Sequence, residues 1–177
     1  MKNFKAAVLC MVIAIPFLPV SVVVAQKAKE TFSAPIPAQI LTAKKVFVSN
    51  AGGDEWMDDE THFNGGPERT YNQFYAAMKN WGRYELVASP ADAELLIEIQ
   101  FSVLSSFSRP ILDPQFRLVL RDPKTNAALW GFTEHVQWAV LLGNRDKNFD
   151  KALGQVVSEV QRIAAQPEGT AEDEKKN

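Results

Sequence analysis

From Leu95 to Val103 the chain alternates. Leu95, Ile97, Ile99, Phe101 and Val103 take every second position, with Glu94, Leu96, Glu98, Gln100 and Ser102 between them. A period of two sends alternate side chains to opposite faces, so the segment is predicted as a strand with one buried face. The rhythm returns in "QFRLVLRD" with Phe116, Leu118 and Leu120, and the turn residues of "DPKTN" lead into "AALWGFTEHVQW" as its partner strand. Two other segments follow the helical period. Tyr71, Phe74, Tyr75, Met78 and Trp81 form one stripe, on a helix that Pro67 and Glu68 start and Gly82 ends. Phe149, Leu153, Val156, Val157, Val160 and Ile163 form a second stripe, for which Asn148 is the expected N-cap. A β-branched run, "KKVFVSN" at 44–50, and the short "RYELVA" supply two more strands. The order is strand, helix, short strand, long strand, strand, strand, helix. It predicts an α+β fold, a two-layer sandwich in which a mainly antiparallel sheet of four to five strands carries two helices on one face.

The ends of the chain read differently. Lys2 and Lys5 precede an apolar run from Ala6 to Ala25, with Pro16 and Pro19 breaking any helix inside it and Val23-Val24-Ala25 before polar Gln26. This pattern predicts a signal peptide, residues 1–25, cleaved after Ala25 into the periplasm or the medium. The alternative is an uncleaved N-terminal membrane anchor, since about twenty apolar residues just span a bilayer. Cys10 lies in the middle of the run and not at its end, which speaks against lipidation there. Residues 26–43, with Pro35 and Pro37, read as a flexible linker. Residues 167–177 read as a disordered charged tail, leaving 44–166 as a single domain.

Composition narrows the chemistry. The 177-residue chain is 46% hydrophobic, enough for a real core. Its only cysteine falls within the segment expected to be removed, so the exported domain is thiol-free. Disulfides, thiolate catalysis and cysteine-based metal sites are then excluded. Cleavage would leave 17 basic against 21 acidic residues, a charge of about −4, and no basic cluster for nucleic acid. No cofactor is expected.

"WGRYELVASPADAELLIEI", 81–99, followed by "LVLRDPKTNAALW", 118–130, resembles a layout of bacterial envelope domains. It is similar to the amino-terminal domain of the Tol-system periplasmic protein, to curli-secretion and penicillin-binding-protein-activator lipoproteins, and to exported families of unknown function. The resemblance implies a small α/β envelope domain that binds other proteins or assemblies. It carries no catalytic residues over, and this chain lacks the lipobox cysteine of the lipoprotein members.

Three groups of residues are candidates for function. Asp54, Glu55, Asp58, Asp59 and Glu60, with His62 nearby, are hard ligands for calcium or another divalent ion, although their spacing is not that of an EF-hand. Gly65-Gly66 before a helix could cradle an anion, but no Walker lysine accompanies them. The plainer reading is a solvated connection, in which Trp56, Met57 and Phe63 fold back onto the domain or meet a partner. His62 or His135 could serve a serine hydrolase with Ser49, Ser89, Ser102, Ser105, Ser106 or Ser108, yet no nucleophile motif surrounds any of them. His135, in phase with Thr133 and Gln137, is expected on the solvent face. The segments "SSFSRPILDP" and "WAVLLGNRD" read as apolar loops, and Phe107, Trp138, Leu141 and Leu142 mark a partner surface if one exists. The expectation is an exported, non-catalytic binding or assembly module whose partner is an envelope protein or assembly. The alternative is a metal-dependent or serine hydrolase built on the 51–66 loop.

Overall fold

The structure, a computed structural model, describes residues 34–53, 62–106 and 109–165, with backbone alone at 105–106 and 109–111. The elements are α1 (Ala38–Thr42), β1 (Lys45–Asn50), α2 (Arg69–Trp81), β2 (Glu85–Leu86), a 3-10 turn (Pro90–Asp92), β3 (Leu95–Ser106), β4 (Arg109–Arg121), β5 (Ala128–His135) and α3 (Leu142–Ala164). The five strands form one sheet in the order β2-β1-β3-β4-β5. The α+β class and the helix-on-sheet layering expected from the alternation are therefore present.

Most of the ladder is antiparallel. β3 and β4 pair from Leu96↔Arg121 to Ser106↔Arg109, and β4 and β5 from Gln115↔His135 to Arg121↔Ala128. β1 differs: it runs parallel to both neighbours, with Lys45↔Glu85 on one side and Val46↔Leu95 to Asn50↔Ile99 on the other. Parallel neighbours require a crossover, and α2 supplies it between β1 and β2. Gly82 makes the sharp exit from that helix possible: its φ of +70° is a left-handed conformation, and its N–H closes on Met78 O at 3.3 Å.

The alternating residues go where their period sends them. Val46, Val48, Leu95, Ile97, Ile99, Phe101, Val103, Phe116, Leu118 and Leu120 all turn to the helix side and are buried. Phe74 and Met78 of α2 and Phe149, Leu153, Val156, Val160 and Ile163 of α3 meet them there, while Tyr71, Tyr75, Trp81 and Val157 are partly buried at the margin. At the centre stand Phe63, Phe101, Phe116 and Phe149, with ring centroids 4.8 to 5.8 Å apart where they meet. Such spacing in tilted and edge-on arrangements adds to what area burial alone provides.

Four expectations are corrected. The last part of the expected linker is helical: α1 buries Ile40 completely, and Gln39 Nε2 donates to Glu94 O at 2.8 Å and to Asp122 Oδ1 at 3.3 Å. One apolar side chain with an amide clamp is enough to dock five residues. The "SSFSRPILDP" segment belongs almost wholly to β3 and β4 and not to a loop. Pro114 is tolerated because its carbonyl accepts from Val136 N–H, 2.7 Å, so its nitrogen also faces β5 where that ladder ends, and β3 loses no bond. α3 begins six residues before Asn148, at Leu142, because Leu141 O already accepts from the N–H groups of Asn144 and Arg145. Asn148 instead donates its side-chain amide to Gln137 O, 2.7 Å. Half of "WAVLLGNRD" is thus helix.

Candidate functional site

The corner where the 62–66 segment meets the turn before α3 holds the densest set of polar contacts linking distant parts of the chain. Asp54, Glu55, Asp58, Asp59 and Glu60, together with Trp56, Met57 and Phe107, lie outside the described residues. After that gap the described chain resumes at His62.

Phe63 enters the core with no exposed surface and packs edge-on against Phe101 at 5.2 Å and Trp138 at 6.1 Å. A loop residue buried this way has to bring its backbone down with it, and two arginines receive that backbone. Arg145 of α3, only 8% exposed, donates through Nε to His62 O at 2.8 Å and through Nη1 to Ala139 O and Val140 O at 3.2 and 3.0 Å. Its guanidinium lies 4.9 Å from the centre of the Trp138 ring. Arg69, at the start of α2, donates through Nη1 to Asn64 O at 2.7 Å and to Asp146 Oδ1 at 2.6 Å, and through Nη2 to Asp150 Oδ1 at 2.7 Å. It stacks 4.1 Å over Phe149. Asp146 completes the knot by accepting from the Asn64 backbone N–H at 3.1 Å and from the Asn64 side-chain amide. Gly65 is required where it stands: at φ +96° it is left-handed, and a Cβ there would come within 2.9 Å of Arg69 Cδ.

Burial is the largest influence on the Asp146 carboxyl and pushes its pKa up. The Arg69 guanidinium and the two Asn64 donors together outweigh it, so the net displacement is below the usual aspartate value. A carboxyl with a depressed folded-state pKa contributes stability that is complete above its unfolded pKa and disappears as pH falls through the folded one. Acid unfolding curves should therefore show a loss of stability below about pH 4 that is smaller in Asp146→Asn than in the parent. Equal pH slopes in the two proteins would show that Asp146 carries none of it.

What this corner presents outward is apolar. Val140 is 87% exposed and Leu141 67% exposed, on backbone that Arg145 holds from beneath, while Trp138 and Leu142 are partly buried beside them. Of the residues expected to mark a partner surface, the structure therefore brings Trp138, Leu141 and Leu142 into one turn and adds Val140. Arg69, Arg145 and Asp146 were not legible as a group. Their signal was local: an arginine in the first turn of each helix sits at the wrong end of the dipole, which asks for a tertiary partner.

The remaining candidates have structural places. His62 contributes its carbonyl to Arg145, and its ring lies 6.3 Å from that of Trp138. Among the described residues no three His, Cys, Asp or Glu side chains gather as a metal site. His135 lies on the free face of the sheet, as its phase required, with Nδ1 2.7 Å from Asp113 Oδ1 and both side chains well exposed. Ser89 accepts from Ala91 N–H and caps the 3-10 turn. Ser102 sits opposite Gln115 on the sheet. No described helix is long and apolar enough to cross a membrane.

No family model and no curated protein matches the chain. Solved structures share its outline. Protein XCC0632 of Xanthomonas campestris, a DUF330 protein, is 14% identical with a TM-score of 0.48, covering 71% of this chain and 86% of its own. The PelC dodecamer of Paraburkholderia phytofirmans is 14% identical with a TM-score of 0.43, covering 70% and 89%. Lipoprotein GNA1162 of Neisseria meningitidis is 14% identical with a TM-score of 0.37, covering 70% and 99%.

Proposed function

We propose that this protein is an exported, non-catalytic binding or assembly module of the bacterial envelope, and that it engages a protein partner through the 138–142 turn. The observation that carries the reading is the contrast within that turn. A buried arginine fixes its carbonyls, while Val140 and Leu141 stand in water, where apolar side chains gain nothing unless something covers them. A rigid apolar tip loses little conformational entropy on binding, which is how a small surface reaches useful affinity. The N-terminal apolar run supports the location, since a signal peptide would deliver the domain across the inner membrane.

Site-specific photocrosslinking in living cells tests it. A photoreactive phenylalanine at Val140 is expected to give one discrete adduct, the same residue at exposed Lys124 none, and Leu141→Asp should abolish the Val140 adduct. Because both positions are on the surface, Leu141→Asp should change stability by less than about 0.5 kcal/mol. Absence of an adduct at Val140, or one indifferent to Leu141→Asp, rejects the reading.

A further inference from the structure

Beyond that turn, β5 is the last strand of the sheet, and no described strand pairs with its outer side. Its backbone orientation follows from one bond. Val136 gives its N–H to Pro114 O, so the even-numbered residues 130 to 136 turn their N–H and C=O towards β4. Gly131, Thr133 and His135 therefore turn theirs outward. An eight-residue edge with open donors and acceptors is a template for another strand, and proteins that keep such edges free usually arm them with lysine, proline or a bulge. Ala128–His135 contains neither lysine nor proline, and the irregularity in its pairing falls at Leu120/Arg121, at the far end.

The sequence of the edge selects its occupant. We infer that β5 pairs antiparallel with β5 of a second copy of this chain, about a two-fold axis through Gly131, joining two sheets into one of ten strands. In this register Gly131 opposes Gly131, Trp130 opposes Phe132 of the second copy, and Glu134 opposes Ala128. Trp130 and Phe132 are the half-buried aromatics on the helix side of the strand, and cross-strand pairing of two aromatics is favourable. Moving the axis to Phe132 would set Trp130 against Glu134, and moving it to Thr133 would set Phe132 against Glu134. Only the Gly131 axis keeps both carboxylates away from the rings. Like charge meets like charge nowhere along the strand pair.

Sedimentation equilibrium on the protein expressed from Met1, with cysteine variants made in a Cys10→Ser background, tests the inference. The parent should sediment at twice the chain mass. Thr133→Pro should sediment as a single chain, because it removes an outward N–H that β4 does not use. Gly131→Cys should form an intermolecular disulfide under mild oxidation, since opposed hydrogen-bonded residues have Cα atoms about 5.5 Å apart, within disulfide reach. A cysteine fits there, as a Cβ would meet nothing closer than Leu118 O at 3.4 Å. Thr133→Cys, facing Leu129 of the second copy, should not cross-link. Should Thr133→Pro fail to fold, slow amide exchange at Gly131 and Thr133 in the parent stands in for it. A monomeric parent overturns the inference, as does a dimer that survives Thr133→Pro or cross-links through Thr133→Cys and not Gly131→Cys.

Discussion

Phe149→Ala should destabilise the domain by about 4 kcal/mol, read as a lower urea midpoint with an unchanged m-value. The ring has no exposed surface and contacts Phe63, Phe101 and Phe116, with centroids at 5.8, 5.3 and 4.8 Å. Its removal opens a cavity that three rigid rings from three separate elements cannot collapse to fill, which places the cost high in the range for such truncations. It also takes away the face on which Arg69 stacks. Phe149→Leu, which refills part of the volume, should cost distinctly less. A loss below about 2 kcal/mol for the alanine variant would mean that the four rings are not packed as described.

Arg145→Met should cost about 3 kcal/mol, and the loss should be local before it is global. The methionine keeps the stem but leaves three carbonyls, those of His62, Ala139 and Val140, without their donor in a largely buried place. A charged donor to a carbonyl contributes more than a neutral one, and an acceptor stranded away from water carries its full desolvation cost. Amide exchange in 62–64 and 138–142 should therefore accelerate well before that of β3 or β4. Arg145→Lys should rescue little, because one ammonium cannot reproduce a planar fork reaching two separate segments. If exchange at 138–142 is unchanged in Arg145→Met, the turn is not held by this side chain, and the rigid tip on which partner binding is proposed loses its basis.

These two residues also show where sequence reading succeeds and where it stops. Phe149 was legible because its neighbours at helical spacing repeat the same demand for burial, just as Leu95 to Val103 repeat theirs every second position. Arg145 was not, because its acceptors include one on a segment 83 residues away, and all are backbone groups common to every residue type. Pro114 misled because proline normally punctuates loops, and only the pairing of its neighbours reveals that the missing N–H would have pointed at the end of a ladder. Asn148 misled because a good cap is also a good donor to a nearby carbonyl. Ile40 was missed because a single apolar residue has no period. The parallel course of β1 lay equally out of reach, since a half-buried strand looks the same whichever way its neighbour runs. The exposed tip was half legible: Leu141 and Trp138 announced themselves by apolarity in an apparent loop, whereas the buried arginine that orients them did not.

The parallel placement of β1 bears on how the chain is made. Ribosomes release the polypeptide amino end first, so Val46 and Val48 emerge long before Ile97 and Ile99, the strand neighbours that will shelter them. The later three strands, by contrast, are joined by short connections and meet their partners almost as soon as they appear. The contacts of highest sequence separation are the slow ones, and here they belong to the earliest-synthesised strand. The oldest part of the nascent chain therefore waits longest for its place, and an oily hexapeptide left waiting is a natural client for a holding chaperone.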